Sequence, residues 1–214
     1  MLVKNRREGN HLEDLRETFD TLRFYNMKLN PGKCAFRVTV GKFLGFMLSQ
    51  RGIEANLDKI RAIIEMAPPK NVKEVQSLNS KIAALNRFVS RAMDKCMPFF
   101  RTLKKSFEWM VECQQAFEDL KAYLSSLPLL SPSKPGEELS LYLVVSLAAI
   151  SAALIKEEDK VQKPMHYASQ ALHGAKERNL PIEKLTFALV TAARKLKPYF
   201  YAYMVGVLTD KPLQ

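Results

Sequence analysis

KFLGFMLSQRGIEAN, at residues 42–56, joins a strand-like region of the chain to a helical one. Before it, Cys34–Val40 alternates loosely between apolar and polar residues, and the next residue, a glycine, interrupts the alternation. The apolar and aromatic run Phe43–Ser49 follows, and Arg51-Gly52 then marks a turn. Two short β-like runs separated by a glycine are typical of a hairpin, so we predict one across these residues.

On the N-terminal side, the first ten residues are polar and basic, and a helix is predicted from His11 onward. Acidic residues stand in its first turns, where the helix dipole favours negative charge. Asn30-Pro31-Gly32 then ends this region as a turn. The apolar positions that recur at helical spacing are Leu12, Leu15, Phe19 and Leu22.

Helical patterns also follow the opening stretch on its C-terminal side. Asn56 is placed to cap a short helix, which a pair of prolines ends. Asn71, with Glu74 three residues later, has the form of a capping box. The apolar residues from Val72 to Val89 recur on one face and predict a single long helix. A further helix follows, so residues 57–126 are expected to form a small helical bundle.

Beyond the bundle, Leu127–Glu138 contains three prolines and a glycine, which makes it the best candidate for a linker. The pattern then changes to strands, interrupted by one helix whose first turn contains a proline. The expected order is β-β-β-α-β, with elements at Leu139–Val145, Ile150–Lys156, Pro164–Ser169, about Pro181–Tyr201 and Tyr203–Thr209.

Several segments resemble the polyproteins of gypsy-type LTR retrotransposons, and their sequences are similar to the plant versions. They cover nearly the whole chain and occur in the family's order: Asn26–Cys34, Lys42–Asn56, Pro68–Leu78, Leu85–Phe88, Phe107–Trp109, Cys113–Phe117 and Val207–Leu213. The resemblance implies an α+β chain in four parts. These are the end of a reverse-transcriptase palm with a primer-grip-like hairpin (1–56), a helical thumb and connection (57–127), a linker (128–138) and a truncated RNase H-like mixed sheet (139–214).

The resemblance also implies that polymerisation needs residues outside this sequence. In the family, a Tyr-x-Asp-Asp turn precedes a segment like Met1–Lys4, and its aspartates hold Mg²⁺ ions that activate the primer hydroxyl. We therefore expect no polymerisation by this chain alone. We also expect no cofactor for this chain, although the family uses Mg²⁺.

The RNase H site of the family needs several carboxylates around two metal ions. Here the first matching position holds Val144 and the second holds Leu185. Glu183 stands two residues away, about 200° around a helix, and is expected to partner the helix dipole. Asp210 matches the third carboxylate and is the one catalytic candidate, but given the losses elsewhere it is expected to be a remnant turn residue, with a metal ligand as the alternative. Because a single carboxylate binds Mg²⁺ poorly, no metal site is predicted.

A net charge of +11 favours a polyanionic partner, with solubility alone as the alternative. The basic residues of the thumb-like helices are candidates for phosphate contacts or, alternatively, form a solvated face. Arg87 and Arg91 are four residues apart and are expected to share a helical face. The basic candidates are Lys81, Arg87, Arg91, Lys95, Arg101, Lys104 and Lys105.

The apolar hairpin residues and the aromatic residues give a second group of candidates. Those that match the primer grip are Phe43, Leu44, Gly45 and Phe46, although an apolar hairpin beside a helix is also ordinary core. Trp109 and the group Tyr199–Tyr203 are expected to pack in the interior and not to stack on bases.

The expected partners are RNA–DNA hybrid or DNA duplex, bound weakly and without sequence preference, and the rest of a polyprotein. No membrane contact is expected, because the longest apolar run, Leu139–Ile155, is short and contains serines. Without a secretion signal, a cytoplasmic or nuclear location follows. The three cysteines lack metal-ligand spacing and are expected to be free thiols.

Three functions stay open at this point. The first is a retrotransposon-derived fragment that binds nucleic acid and is catalytically incompetent alone. The second is a part of an active RNA-directed DNA polymerase and ribonuclease H within a longer polyprotein. The third is a basic binding module that has been repurposed.

Overall fold

The computed structural model describes residues 11–36, 38, 40–43, 45–49, 52–103 and 107–209, with only the backbone of Phe43. Seven α-helices and two sheets in this part of the chain confirm the α+β fold class. The helices are α1 His11–Phe24, α2 Leu57–Ile64, α3 Val72–Ala83, α4 Ala92–Thr102, α5 Val111–Ser125, α6 Pro181–Lys195 and α7 Lys197–Ala202. The strands are β1 Gly41–Phe43, β2 Phe46–Leu48, β3 Ile53–Ala55, β4 Leu139–Val145, β5 Ala149–Glu158, β6 Val161–Ala171 and β7 Val205–Leu208.

The first sheet is a small antiparallel one in the order β1-β2-β3. The predicted hairpin exists, but its predicted strands are wrong: Cys34–Phe36 and Val38 are not in a strand, and the turn falls inside Phe43–Ser49. Gly45 explains the turn, because its φ of 81° is a conformation that favours glycine. The strand β3, which the sequence reading did not include, completes the sheet by pairing with β2.

The predicted linker is packed against this sheet. Leu130 is fully buried and exchanges both backbone hydrogen bonds with Ile53, with N···O distances of 2.9 and 3.1 Å. Gly52 makes this approach possible, since a Cβ there would lie 2.3 Å from the Leu130 carbonyl oxygen. Next to it, the Ser131 amide donates to the Pro164 carbonyl at 2.8 Å. The predicted linker is therefore held by backbone hydrogen bonds to β3 at Leu130 and to β6 at Ser131.

The predicted caps are confirmed. The side chain of Asn56 accepts from the Asp58 amide at 2.9 Å, at the start of α2. At the start of α3, Asn71 accepts from the Glu74 amide at 3.0 Å. The Glu74 carboxylate in turn accepts from the Lys70 amide at 2.7 Å, which completes the predicted capping box with a shift of one residue.

The predicted single helix over Val72–Val89 is wrong, because α3 ends at Ala83 and a series of turns leads to α4. The carbonyl of Arg87 accepts from the Tyr167 amide of β6 at 3.0 Å and so is not available to a helix. Arg91 has a φ of 52°, which a right-handed helix excludes. Arg87 and Arg91 therefore do not share a helical face, contrary to the prediction.

The second sheet has the strand order β6-β5-β4-β7, with β4 and β7 parallel and the other pairs antiparallel. The predicted order of elements is confirmed, but the predicted helix about Pro181–Tyr201 is two helices. Pro198 lies in the first turn of α7, where its missing N–H costs no hydrogen bond. Leu196, the residue between the two helices, is buried, and its side chain packs in the core against the sheet.

Two apolar cores result, one among α2–α5 and one between α6 and the second sheet. Polar contacts connect the two cores along the β6 edge and the β4–β5 turn. Ser169 donates to the Asn86 side chain at 2.8 Å and accepts from the Met93 amide at 3.3 Å. The Ser146 hydroxyl donates to the Asp94 carboxylate at 2.7 Å.

Candidate nucleic-acid interface

The β1–β2 hairpin carries the residues that match the primer grip. Leu44 lies outside the described residues, and Phe43 contributes its backbone to the pair that flanks the turn. Phe46 packs its ring 5.6 Å from that of Phe88 and borders the helical core. Gly45 lies at the tip of the hairpin.

An ammonium group that the sequence reading did not single out lies over this tip. A Cβ placed on Gly45 would be 2.9 Å from Lys59 Nζ, so the amine lies directly beside the glycine. Lys59 forms no salt bridge with a described residue. Its neighbour Lys42 is bound to Asp58 at 2.6 Å. The only signal in the sequence was that Lys59 follows the Asn56 cap by three residues, which places it in the first turn of α2.

The basic candidates divide into two groups. In the first, the side chains are engaged inside the molecule. Lys81 Nζ donates to the Ala62 carbonyl at 3.1 Å and so links α3 to α2. Lys95 Nζ donates to the Ser90 carbonyl at 2.9 Å and lies 4.6 Å from the centre of the Tyr123 ring. Burial lowers the pKa of the Lys95 ammonium, and the positive charge of Arg91 adds to the effect.

Arg87 belongs to this engaged group and contacts both halves of the chain. Its guanidinium lies 5.6 Å from the centre of the Phe46 ring, and Nη2 donates to the Tyr199 hydroxyl at 3.2 Å. Its Nε is buried without a hydrogen-bond partner. Arg87 therefore connects the hairpin and the helices with the second half of the chain.

In the second group, the side chains are exposed, and each forms one ion pair with a described residue. Arg91 contacts Asp94 at 3.0 Å, and Arg101 contacts Glu112 at 3.2 Å. Such pairs typically contribute less than about 1 kcal/mol, so a phosphate can compete for these guanidinium groups. Lys104 and Lys105 lie outside the described residues.

Trp109 packs in the interior, as predicted. Its ring is stacked on that of Phe99 at 5.8 Å and meets the edge of Phe117 at 6.0 Å. Its Nε1 donates to the Gln114 side chain at 2.9 Å, which satisfies its one donor. This ring is not available to a base.

The positions that match the RNase H carboxylates lie around β4 and α6. Val144 is on β4, 43% exposed, and the fully buried Leu185 is part of the core beneath α6. Glu183 caps α6 by accepting from the Leu180 amide at 2.9 Å, as expected of a first-turn acid. Asp210 lies outside the described residues.

The apolar side chains at Val144 and Leu185 do not fit a Mg²⁺ site, which requires oxygen ligands. Within the described ranges, no group of three or more His, Cys, Asp or Glu residues is arranged to hold a metal ion. Close to these positions is Lys184, only 5% exposed, whose Nζ donates to the Leu147 carbonyl at 2.9 Å. Its burial was not expected, because lysine in a helix usually faces solvent.

One titratable group with a large pKa shift, His166, lies near Arg87, where the two halves of the chain meet. Burial lowers the pKa of His166 to about 4, and the charge of Arg87 contributes. His166 Nδ1 lies 2.7 Å from the Tyr167 carbonyl, so Nδ1 carries the proton of the neutral ring. The ring also meets Tyr199 edge-on at 6.4 Å.

The second half of the chain matches a known protein family. Residues 109–207 match the family model of the RNase H-like domain found in reverse transcriptase. This match covers α5, α6, α7 and the second sheet as far as Val207. Together with the transposon relatives described next, this match supports the resemblance to a retrotransposon polyprotein with a reverse-transcriptase and RNase H-like region.

Two curated relatives extend the similarity to almost the whole chain. The retrovirus-related Pol polyprotein from transposon 412 of Drosophila melanogaster is 30% identical over 209 residues, which cover 96% of this chain and 17% of that polyprotein. The transposon Tf2-3 polyprotein of Schizosaccharomyces pombe is 24% identical over 215 residues, covering 98% of this chain and 16% of the polyprotein. The chain thus spans about one sixth of the length of these relatives.

Solved structures share the fold. A foamy viral protease-reverse transcriptase in complex with an RNA/DNA hybrid aligns with a TM-score of 0.77 at 20% identity, covering 95% of this chain and 28% of the other. The same kind of protein in complex with dsDNA aligns with a TM-score of 0.75 at 20% identity, covering 97% and 44%. At this identity the likeness concerns the fold.

Across the parts of the chain that are described, none of the helices has the length and apolar character needed to cross a membrane.

Proposed function

We propose that this chain is a nucleic-acid-binding segment of a retrotransposon polyprotein that has no nuclease or polymerase activity by itself. The observation that carries the binding proposal is the Lys59 ammonium over the tip of the primer-grip-like hairpin. Lys59 is half-buried and forms no salt bridge with a described residue, so its charge can pair with a phosphate group. The structural relatives solved with an RNA/DNA hybrid and with dsDNA support the same class of partner.

The remaining phosphate contacts are proposed for the exposed basic residues, namely Arg91, Arg101 and, on the sequence alone, Lys104 and Lys105. For Lys81, Arg87 and Lys95 we propose an indirect part in binding, because their donors are used inside the molecule. Phosphate contacts carry no sequence information, so binding is expected to be weak and non-specific.

The catalytic part of the proposal concerns the nuclease positions. The side chains at Val144 and Leu185 offer no metal ligand, and Leu185 is buried in the apolar core. Asp210 is proposed as a remnant of the third carboxylate. The residues quoted for the gypsy-type and plant-like resemblance support that finer assignment, and a cytoplasmic or nuclear location is proposed with it.

A second function is favoured by the extent of the match. Since the chain corresponds to 17% of the transposon 412 polyprotein, it can also be one part of a longer active product. In that case the rest of the polyprotein is its partner, and catalysis is carried by carboxylates outside this chain.

A salt titration on an RNA–DNA hybrid tests the binding proposal. Releasing counterions from a duplex lowers log K by about 0.9 per phosphate contact for each tenfold rise in salt. We expect Lys59→Gln to reduce the magnitude of this slope by about 0.9. The matched control is Lys160→Gln, an exposed lysine in the β5–β6 turn, which should leave the slope unchanged. A slope near zero for the unaltered chain would overturn the proposal.

A further inference from the structure

An exposed surface with basic and aromatic character lies where α6 meets α7. Tyr201 is 78% exposed, and Lys197 Nζ lies 5.4 Å from the centre of its ring. The two residues are four apart in α7 and share one face. Arg194 is exposed in the last turn of α6, just before them.

This surface differs from the aromatic packing beside it. Tyr199 and Tyr203 border the core of the second half, with their ring centres 6.4 Å apart, and the Tyr199 hydroxyl accepts from Arg87. The expectation that Tyr199–Tyr203 packs in the interior is therefore confirmed for the first and last tyrosines. It is wrong for Tyr201, because the turn of α7 directs this ring away from the sheet.

The stretch of sequence that contains Tyr201 carries charge of one sign. Between Lys184 and Thr209 the sequence contains four Lys and Arg residues and no Asp or Glu. Two of the four are engaged, since Lys184 donates to the Leu147 carbonyl and Lys195 donates to the Ser169 carbonyl. Arg194 and Lys197 are the other two, and neither forms a salt bridge with a described residue.

We propose that Tyr201, Lys197 and Arg194 form a binding site for single-stranded nucleic acid. An unpaired base stacks on the ring face of Tyr201 opposite Lys197, and the neighbouring phosphates contact Lys197 and Arg194. A single strand fits better than a duplex, because the bases of a duplex are already stacked on each other. The site rests on the proposed nucleic-acid binding of the chain but uses a different surface from the hairpin tip.

The test measures binding of the full chain to two probes, a fluorescent twelve-nucleotide oligo-dT and a blunt RNA–DNA hybrid. Tyr201→Ala is expected to weaken binding of the oligo-dT about tenfold, the loss of one base–aromatic stack, and Tyr201→Trp should retain it. Arg194→Gln with Lys197→Gln should reduce the salt slope for the oligo-dT by about 1.4, or about 0.7 for each lost contact. Affinity for the blunt hybrid should stay within twofold in all three variants.

Tyr25→Ala and Lys160→Gln are matched controls, because Tyr25 is also 67% exposed and both residues lie in other parts of the chain. Oligo-dT affinity that is unchanged by Tyr201→Ala, or lowered equally by Tyr25→Ala, would overturn the site. So would failure of the unaltered chain to bind oligo-dT. If the hybrid still binds with the slope attributed to Lys59, only the Tyr201 site fails; if neither probe binds, the proposed function fails as well.

Discussion

Lys59 and Lys81 are both lysines and carry the same charge, but their amines lie in different surroundings. The amine of Lys59 lies over the hairpin tip at Gly45, whereas that of Lys81 donates to the Ala62 carbonyl. Charge and helical spacing alone do not separate these two cases. Because the Lys81 amine already donates to a carbonyl, it holds two helices together, whereas we propose that the Lys59 amine binds a phosphate.

The first prediction compares an exposed and an engaged basic residue. Arg101→Gln should reduce the salt slope for an RNA–DNA hybrid by about 0.9 and change the free energy of unfolding by less than about 0.5 kcal/mol. Lys81→Gln should leave the slope unchanged and lower the free energy of unfolding by about 1 kcal/mol, because its bond to Ala62 is lost. Hybrid titrations and denaturant unfolding measure the two quantities. The opposite pattern would show that the assignment is wrong.

The second prediction concerns the pH dependence of stability. The pKa of His166 falls from 6.5 to about 4 on folding, chiefly through burial. The unfolded chain therefore binds the extra proton first as pH falls, and stability should decrease between pH 6.5 and about pH 4. The contribution of this one group is up to about 3 kcal/mol. Denaturant unfolding at a series of pH values measures it.

His166→Asn should flatten the pH dependence over that interval, while the exposed His173→Asn serves as the control and should retain it. If both variants keep the full dependence, the group responsible is not His166.

At the scale of the elements, glycine geometry determines how the small sheet meets the rest of the chain. Gly52 has a φ of 149°, and its missing Cβ leaves room for the Leu130 carbonyl. The antiparallel bridge between Ile53 and Leu130 depends on this contact. A side chain at position 52 would therefore separate β3 from the predicted linker.

Gly52→Ala should accordingly lower the free energy of unfolding by more than about 3 kcal/mol, as strain and a steric clash add together. Gly136→Ala is the matched control, because its φ of 83° is also positive but no atom lies within 4 Å of the added Cβ. That variant should lose only about 1–2 kcal/mol. Equal losses, measured by denaturant unfolding, would mean that the approach of Leu130 is unimportant.

A further prediction concerns the contact of α4 with the β4–β5 turn. A double-mutant cycle of Asp94→Ala and Ser146→Ala should give a coupling energy of about 1–2 kcal/mol, since the bond is short and the Asp94 side chain is only 20% exposed. The exposed pair Lys42 and Asp58 is the control and should couple more weakly, because solvent screens both charges. Additive effects at Asp94 and Ser146 would show that this contact does not join the two halves.

Much of the element order could be predicted from the sequence, because caps and alternation are local signals. Asn71 with Glu74, Pro181 in the first turn of α6, and the run Leu139–Val145 all lie where expected. The end of α3 could not be predicted, because the bond between Arg87 and Tyr167 joins residues far apart in the chain.

The candidate site was predictable to a smaller extent. The resemblance predicted that Val144 and Leu185 stand where the family has metal-binding carboxylates. The Lys59 contact, the burial of Lys184 and the exposure of Tyr201 depend on where the chain folds back, and nothing in their local sequence distinguishes them.

At the scale of the whole molecule, polar contacts fix the helical half on the second sheet. Hydrogen bonds that involve Arg87, Asn86 and Asp94 join the helical half to β6, α7 and the β4–β5 turn. If a nucleic-acid strand contacts the hairpin as we propose, it meets the second half in a defined position. Val144 and Leu185 supply no oxygen ligand for Mg²⁺, which is why we propose that the molecule holds a duplex without cutting it.

The most direct test of this central claim follows the RNA strand of a labelled RNA–DNA hybrid while it is bound by the full chain in the presence of Mg²⁺. Mobility shift reports binding, and a denaturing gel of the same samples reports the length of the RNA. The expected result is a saturable, salt-sensitive complex in which the RNA remains full length. Shortened RNA, produced in proportion to the protein and abolished by Asp210→Asn, would contradict the account.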